Sequence, residues 1–180
     1  MKHTRYFGAL LLGVFMATAS LNAAEKSKDD KIFIGGEIGL GGLGDYGVGF
    51  MAGYQHYFPK EYYIANQFRH GVRGFFNANY TSIGYSYFGR SYNYGGFFAS
   101  IGADYLFDFN PQDKVVWGVF GGLGLGYVKV FSNDWFYTAP ASIGFDVRLG
   151  GSVVIDNTHR FELALGSGFS TLALRYLLLF

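Results

Sequence analysis

From residue 31 onward the chain alternates. Apolar side chains recur at every second position over long stretches, which is the period of a β-strand rather than of a helix. Clusters of turn formers interrupt the alternation. Read between those clusters, it predicts strands over residues 31–42, 46–58, 70–81, 95–107, 115–129, 140–153, 160–167 and 171–180. The interruptions form two sets: NPQDK (110–114), DNTH (156–159) and the longer PKEYYIANQFR (59–69) in one, and GLGD (42–45), SIGYSYFGRSYNY (82–94), FSNDWFYT (131–138) and GFS (168–170) in the other. If consecutive strands are antiparallel neighbours, the two sets lie at opposite ends of one sheet.

The faces of that sheet differ sharply. One parity collects Ile32, Ile34, Ile38, Leu40, Val48, Phe50, Val72, Phe76, Phe97, Ile101, Tyr105, Trp117, Leu123, Leu125, Phe145, Leu149, Leu163 and Leu165. The other collects every charge placed in mid-strand: Glu37, Arg73, Asp104, Asp146, Arg148, Glu162 and Arg175. A one-residue slip would exchange the faces, so the charges fix the register. An Arg facing lipid at the bilayer midplane costs about 2–4 kcal/mol, which favours the same phase.

Apart from those charges, the second face is read as mostly Gly, Ser and Asn, too sparse for a solvated surface. Its glycines, among them Gly35, Gly39, Gly49, Gly53, Gly102, Gly118, Gly122, Gly124 and Gly144, leave room for long side chains inside a narrow, strongly bent wall. The pattern therefore predicts an all-β fold, a transmembrane antiparallel up-and-down β-barrel of eight strands, apolar outside and polar inside. Aromatics at both ends of the apolar face fit two interfacial girdles: if the first strand starts on the periplasmic side, Tyr54, Phe107, Trp117, Phe161 and Phe180 fall near that interface, and Tyr46, Tyr80, Phe97 and Tyr127 near the other.

The first residues change the picture in one respect. A basic start (Lys2, His3, Arg5), an apolar run from Phe7 to Ala17 and small residues at Ala23 and Ala24 form a signal peptide, with cleavage expected after Ala23 or Ala24. The expected organisation is a leader over 1–23 and a single barrel domain over 24–180. Composition adds exclusions. The absence of cysteine argues against a disulfide-stapled secreted module, and 14 basic against 13 acidic residues leave no electrostatic footprint for nucleic acid.

Four stretches carry a resemblance: GVGFMAGYQHYF (47–58), VRGFFNANY (72–80), the G-x-D-x-L-F-x-F strand end at 102–109, and the closing LRYLLLF. They resemble the outer-membrane protein family of Helicobacter and its relatives, with the small OmpA-like and opacity-type barrels as the wider comparison. That resemblance implies residence in the bacterial outer membrane, with outer-membrane lipid and lipopolysaccharide as surroundings. Large extracellular domains accompany the barrel in many members and are lacking here, so an adhesin or pore function does not carry over with it. The last strand also resembles those of bacterial outer-membrane barrels. Leu172, Leu174, Tyr176, Leu178 and the terminal Phe180 alternate on the lipid face, a pattern read by the barrel-assembly machinery, while Leu177 and Leu179 depart from the usual polar inner face.

Candidate chemistry is sparse. GLGGLG (39–44) and GLGDYG (42–47) match a dinucleotide-binding spacing, but neither opens a helix in a parallel unit. His56, His70 and His159 fall at the periplasmic end, with no obvious Ser and carboxylate beside them, so no catalytic site is expected and the chain is read as a non-enzyme. No cofactor and no metal is expected either. The inner charges are expected to pair and plug the lumen rather than line a pore; a ten-stranded wall would favour the pore. Tyr85, Tyr87, Phe88, Arg90 and Tyr92 in one outer loop, with Trp135, Phe136 and Tyr137 in the next, suit contact with a host or surface ligand, or with lipopolysaccharide headgroups.

Overall fold

The computed structural model describes residues 30–42, 44–87, 90–131, 141–167 and 170–180, so the expected leader lies outside the described residues. Strands β1 (Lys31–Leu40), β2 (Tyr46–Tyr57), β3 (Arg69–Tyr87), β4 (Arg90–Asp108), β5 (Val115–Phe131), β6 (Ser142–Ile155), β7 (His159–Ser167) and β8 (Leu172–Leu179) follow one another in sequence order. Each pairs antiparallel with its successor, and β8 returns to pair with β1, which closes an eight-stranded barrel without an edge. The seam runs from Phe33 opposite Leu179 to Leu40 opposite Leu172, with Glu37 opposite Arg175 at its middle. The Phe180 N–H extends it, donating to the Ile32 carbonyl at 2.8 Å.

Alternation sorts the side chains as a barrel wall requires. Leu123 is 65% exposed and Phe145 74%, whereas Arg73, Phe33 and Met51 are fully buried. So continuous an apolar exterior suits lipid rather than water, and closure satisfies the backbone hydrogen bonds that lipid leaves unmet. Trp117, Phe161 and Phe180 stand out from one end of the belt, Tyr46, Tyr80 and Tyr127 from the other. The turns use residues able to reverse the chain tightly. Gly41 and Gly42 (φ 70° and 80°) follow β1, and Asp156 and Asn157 (φ 50° and 54°) join β6 to β7.

Two expectations change. Residues 82–94, read as a loop, continue the β3–β4 ladder to Tyr87 opposite Arg90, beyond the points where β2 ends opposite Ser82 and β5 ends opposite Gly95. The Tyr and Ser content that suggested a loop also suits a strand pair standing clear of the membrane. The segment 59–69 is not featureless: a 3-10 turn (Lys60–Tyr62) leads into a tight reversal, with Ala65 and Asn66 at positive φ and Ile64 bridged to Phe68.

The inner face is also less polar than read. Phe33, Met51, Phe75, Val116, Val154, Leu177 and Leu179 form one buried apolar cluster, and Tyr57, Leu106, Phe120, Ala164 and Ala173 another. The inner glycines make this packing fit. Phe33 lies opposite Gly53, Phe75 opposite Gly102, and Phe120 opposite Gly150 on the next strand. A Cβ at Gly53 would come 2.7 Å from the Phe33 ring, and one at Gly150 would come 2.5 Å from that of Phe120. Each ring therefore occupies the space its neighbour's missing side chain vacates.

Candidate functional site: the barrel lumen and its periplasmic rim

All seven inward charges read from the alternation are buried, and they meet at mid-lumen. Arg73 from β3 donates through Nε and Nη2 to Asp104 Oδ2 (2.9 and 2.6 Å), and through Nη1 to Glu162 Oε1 (2.6 Å). Arg148 donates from Nε to Asp104 Oδ1 at 2.9 Å, and its Nη1 lies 3.3 Å from Asp146 Oδ2. Arg175 is paired with Glu37 across the closing seam and lies 3.8 Å from Glu162. Adjacent charges come from register partners: Arg73 stands opposite Asp104, and Glu162 opposite Arg175. Rings complete the layer. The Arg73 guanidinium sits 5.4 Å from the Phe33 ring centre and 5.2 Å from that of Phe120, and Arg148 lies 3.5 Å over Phe75.

Three buried charges belong to the same system and escaped the sequence reading. Arg160 bonds through Nε to Glu162 Oε1 (2.6 Å), through Nη1 to the Tyr57 hydroxyl (3.0 Å), and through Nη2 to Ser152 Oγ (2.9 Å). Arg69 donates to Asp108 Oδ2 at 3.0 and 2.8 Å. All three lie at strand ends. Extending β3 by one residue at its start and β4 by one at its end, and counting Arg160 in phase with Glu162, would have placed them inside. The pairing has gaps: Arg148 Nη1 and Nη2, Arg175 Nη1 and Asp108 Oδ1 are buried without hydrogen-bond partners.

The histidines sit on the outward face at the end of the barrel where β1 begins and β8 ends. His70 Nδ1 meets the Tyr105 hydroxyl at 2.6 Å, with its Nε2 on the Tyr62 carbonyl at 2.7 Å, and His159 Nδ1 meets the Tyr176 hydroxyl at 2.8 Å. His56 corrects the expectation that no carboxylate lies near. Its Nδ1 is 2.7 Å from Asp30 Oδ1, whose other oxygen accepts from Tyr54 at 2.7 Å. Asp30 precedes the first strand and was not part of the alternation.

The other site residues divide. Leu172, Leu174, Tyr176 and Leu178 line β8 in the phase read, with Phe180 exposed just beyond it. Tyr85 and Tyr87 end β3, and Arg90 and Tyr92 begin β4. Phe88, Trp135, Phe136 and Tyr137 lie outside the described residues. Among the described residues no group of acidic, His or Cys side chains is arranged to hold a metal ion.

An apolar belt around a closed antiparallel wall of eight strands makes this an integral β-barrel of the bacterial outer membrane. No protein-family model matches the chain, and no curated protein sequence matches it. Among solved structures, the chain is similar to Ail, the attachment invasion locus protein of Yersinia pestis, in complex with the heparin analogue sucrose octasulfate. The identity is 15% and the TM-score 0.47, over 83% of this chain and 93% of that one. It is also similar to the outer membrane enzyme PagL, with 15% identity and a TM-score of 0.46, over 82% and 96% of the two chains. Neither likeness singles out the Helicobacter family. The reading of the chain as a non-enzyme is withdrawn, because barrels of this architecture include an enzyme and the fold is indifferent to the distinction.

Proposed function

We propose that this chain is a sealed outer-membrane barrel whose role is structural or lies in surface interaction, and whose lumen is a plug rather than a path. The observation that carries the reading is the mid-lumen layer. The side chains of Arg73, Asp104, Arg160 and Glu162 are fully shielded from solvent, bonded to one another and flanked by Phe33 and Phe120. An eight-stranded wall encloses a space just wide enough for such side chains to fill. Moving an ion through would require parting buried ion pairs, each held in a low-dielectric surrounding.

In this reading residues 1–23 direct export, and lipid and lipopolysaccharide surround the belt. The alternation of Leu172, Leu174, Tyr176, Leu178 and Phe180 is the mark read by the assembly machinery. The β3–β4 hairpin, bearing Tyr85, Tyr87, Arg90 and Tyr92, carries any contact with a surface ligand.

Planar-bilayer recording tests the plug. The folded barrel should give no steady conductance; a sustained ohmic current from the purified protein would overturn the reading in favour of a pore. Replacing residues 84–94 and 132–137 with short glycine turns then separates the two roles. Loss of surface binding with an intact envelope supports interaction, and a leaky envelope supports a structural part.

A further inference from the structure

Toward the periplasm from the Arg73–Glu162 layer, the lumen widens into a cavity of about 300 Å³ between the start of β1 and the ends of β2, β6 and β8. Its lining is not that of a plug. Gln55 is 2% exposed, and its Oε1 accepts no hydrogen bond although it belongs to a side chain lining the cavity. A buried amide carbonyl is normally satisfied, so this one is open to a donor that enters the cavity.

Charge at the same cavity has one sign. Lys31, the register partner of Gln55 on β1, lines it together with Arg69, and no carboxylate does. Arg69 is engaged with Asp108 and stacks 4.0 Å over the Tyr57 ring, so its charge is offset and Lys31 is the cation left for a ligand. Lys31 forms no ion pair among the described residues. Val154 on β6 and Leu179 on β8, the neighbour of β1 at the seam, add aliphatic surface to the lining.

A cation at the rim, an acceptor in need of an N–H, and an aliphatic wall describe one chemistry between them. We propose that this mouth binds the carboxy-terminal end of a short peptide in the periplasm. The terminal carboxylate pairs with Lys31, the last amide N–H donates to Gln55 Oε1, and an aliphatic side chain lies against Val154 and Leu179. The volume is at the lower end of small-ligand pockets and suits one or two residues.

The test uses the full chain, folded in detergent micelles, with the methyl resonances of Val154 and Leu179 observed during titration with acetyl-Ala-Val. Saturable shifts are expected, with affinity at least tenfold weaker for the carboxamide form of the same peptide. Lys31→Gln should remove that preference for the free acid, and Gln55→Leu should weaken both forms at least fivefold. Folding of each variant is checked by heat-modifiable gel migration, and Lys31 is the safer of the two because its side chain is only partly buried. The proposal is overturned by the absence of a saturable shift, by equal affinity for acid and carboxamide, or by inorganic phosphate moving the same methyls as strongly as the peptide does.

Discussion

Arg73 on β3 and Glu162 on β7 meet across the full width of the barrel, Nη1 to Oε1 at 2.6 Å, although 89 positions separate them in the chain. The hydrogen-bonded ladders join only neighbouring strands, so this contact ties together walls that the sheet itself connects only by going around. Glu162 serves Arg160 with the same oxygen, which makes a single carboxylate the common partner of two fully buried guanidinium groups.

Neutralising that carboxylate should therefore be severe. Glu162→Gln keeps the size of the side chain but leaves Arg73 and Arg160 short of their shared counter-charge. Breaking a buried pair from one side costs about 3–5 kcal/mol. The expected result is a loss of about 3 kcal/mol or more in equilibrium unfolding by guanidinium in micelles, with the closed barrel still formed at low denaturant.

Glycines on the two faces should behave oppositely. At Gly53 a methyl group would press on the Phe33 ring and on the Gly74 carbonyl, while at Gly74, on the lipid side, it would meet nothing within 4 Å. Gly53→Ala should cost about 1–3 kcal/mol, as overpacked cores do, and Gly74→Ala should stay within about 0.5 kcal/mol of the parent. Denaturant midpoints of the two variants, measured side by side, check the contrast.

The belt makes its own prediction. Leu123 stands at the middle of β5 and projects into lipid. Leu123→Arg should destabilise the barrel by about 2–4 kcal/mol in phospholipid vesicles, whereas Lys129→Arg near the outer end of the same strand should leave stability unchanged. A loss below about 1 kcal/mol for Leu123→Arg would place the membrane midplane elsewhere along β5.

Much of this architecture is legible in the sequence. Strand count, closure and lipid face follow from the alternation because lipid tolerates so few exceptions on the outer side; Leu123, Phe145 and Leu163 announce themselves. The inner side obeys looser rules. Phe33, Phe75 and Phe120 are as apolar as anything on the belt, and only a register that seats each against a glycine makes them interior residues. Arg69, Asp108 and Arg160 were lost to strand ends set a residue short or left out of phase. Asp30 lies before the alternation begins, so nothing in the pattern could link it to His56, a partner 26 residues away.

The last strand offers a prediction of another kind. Phe180 is exposed, and its backbone N–H, not its ring, completes the seam with Ile32. Phe180→Ala should lower the fraction of newly made protein that reaches the folded, heat-modifiable form in cells by severalfold, while the unfolding midpoint of the purified barrel moves little. A large loss in the midpoint instead would make the ring a packing element and not a mark for assembly.

Alternation alone leaves one kind of error unpunished: a slip of two residues keeps every greasy side chain in lipid and preserves the ladder's bonding pattern. The aromatic rings set into glycine gaps remove that freedom. Shifted by two, Phe33 would face Met51 or Gln55, Phe75 would face Ser100 or Asp104, and Phe120 would face Arg148 or Ser152. The interior thus works like the wards of a lock, proofreading the stagger at which the cylinder closes, and a chain that zipped up out of step would be rejected from within.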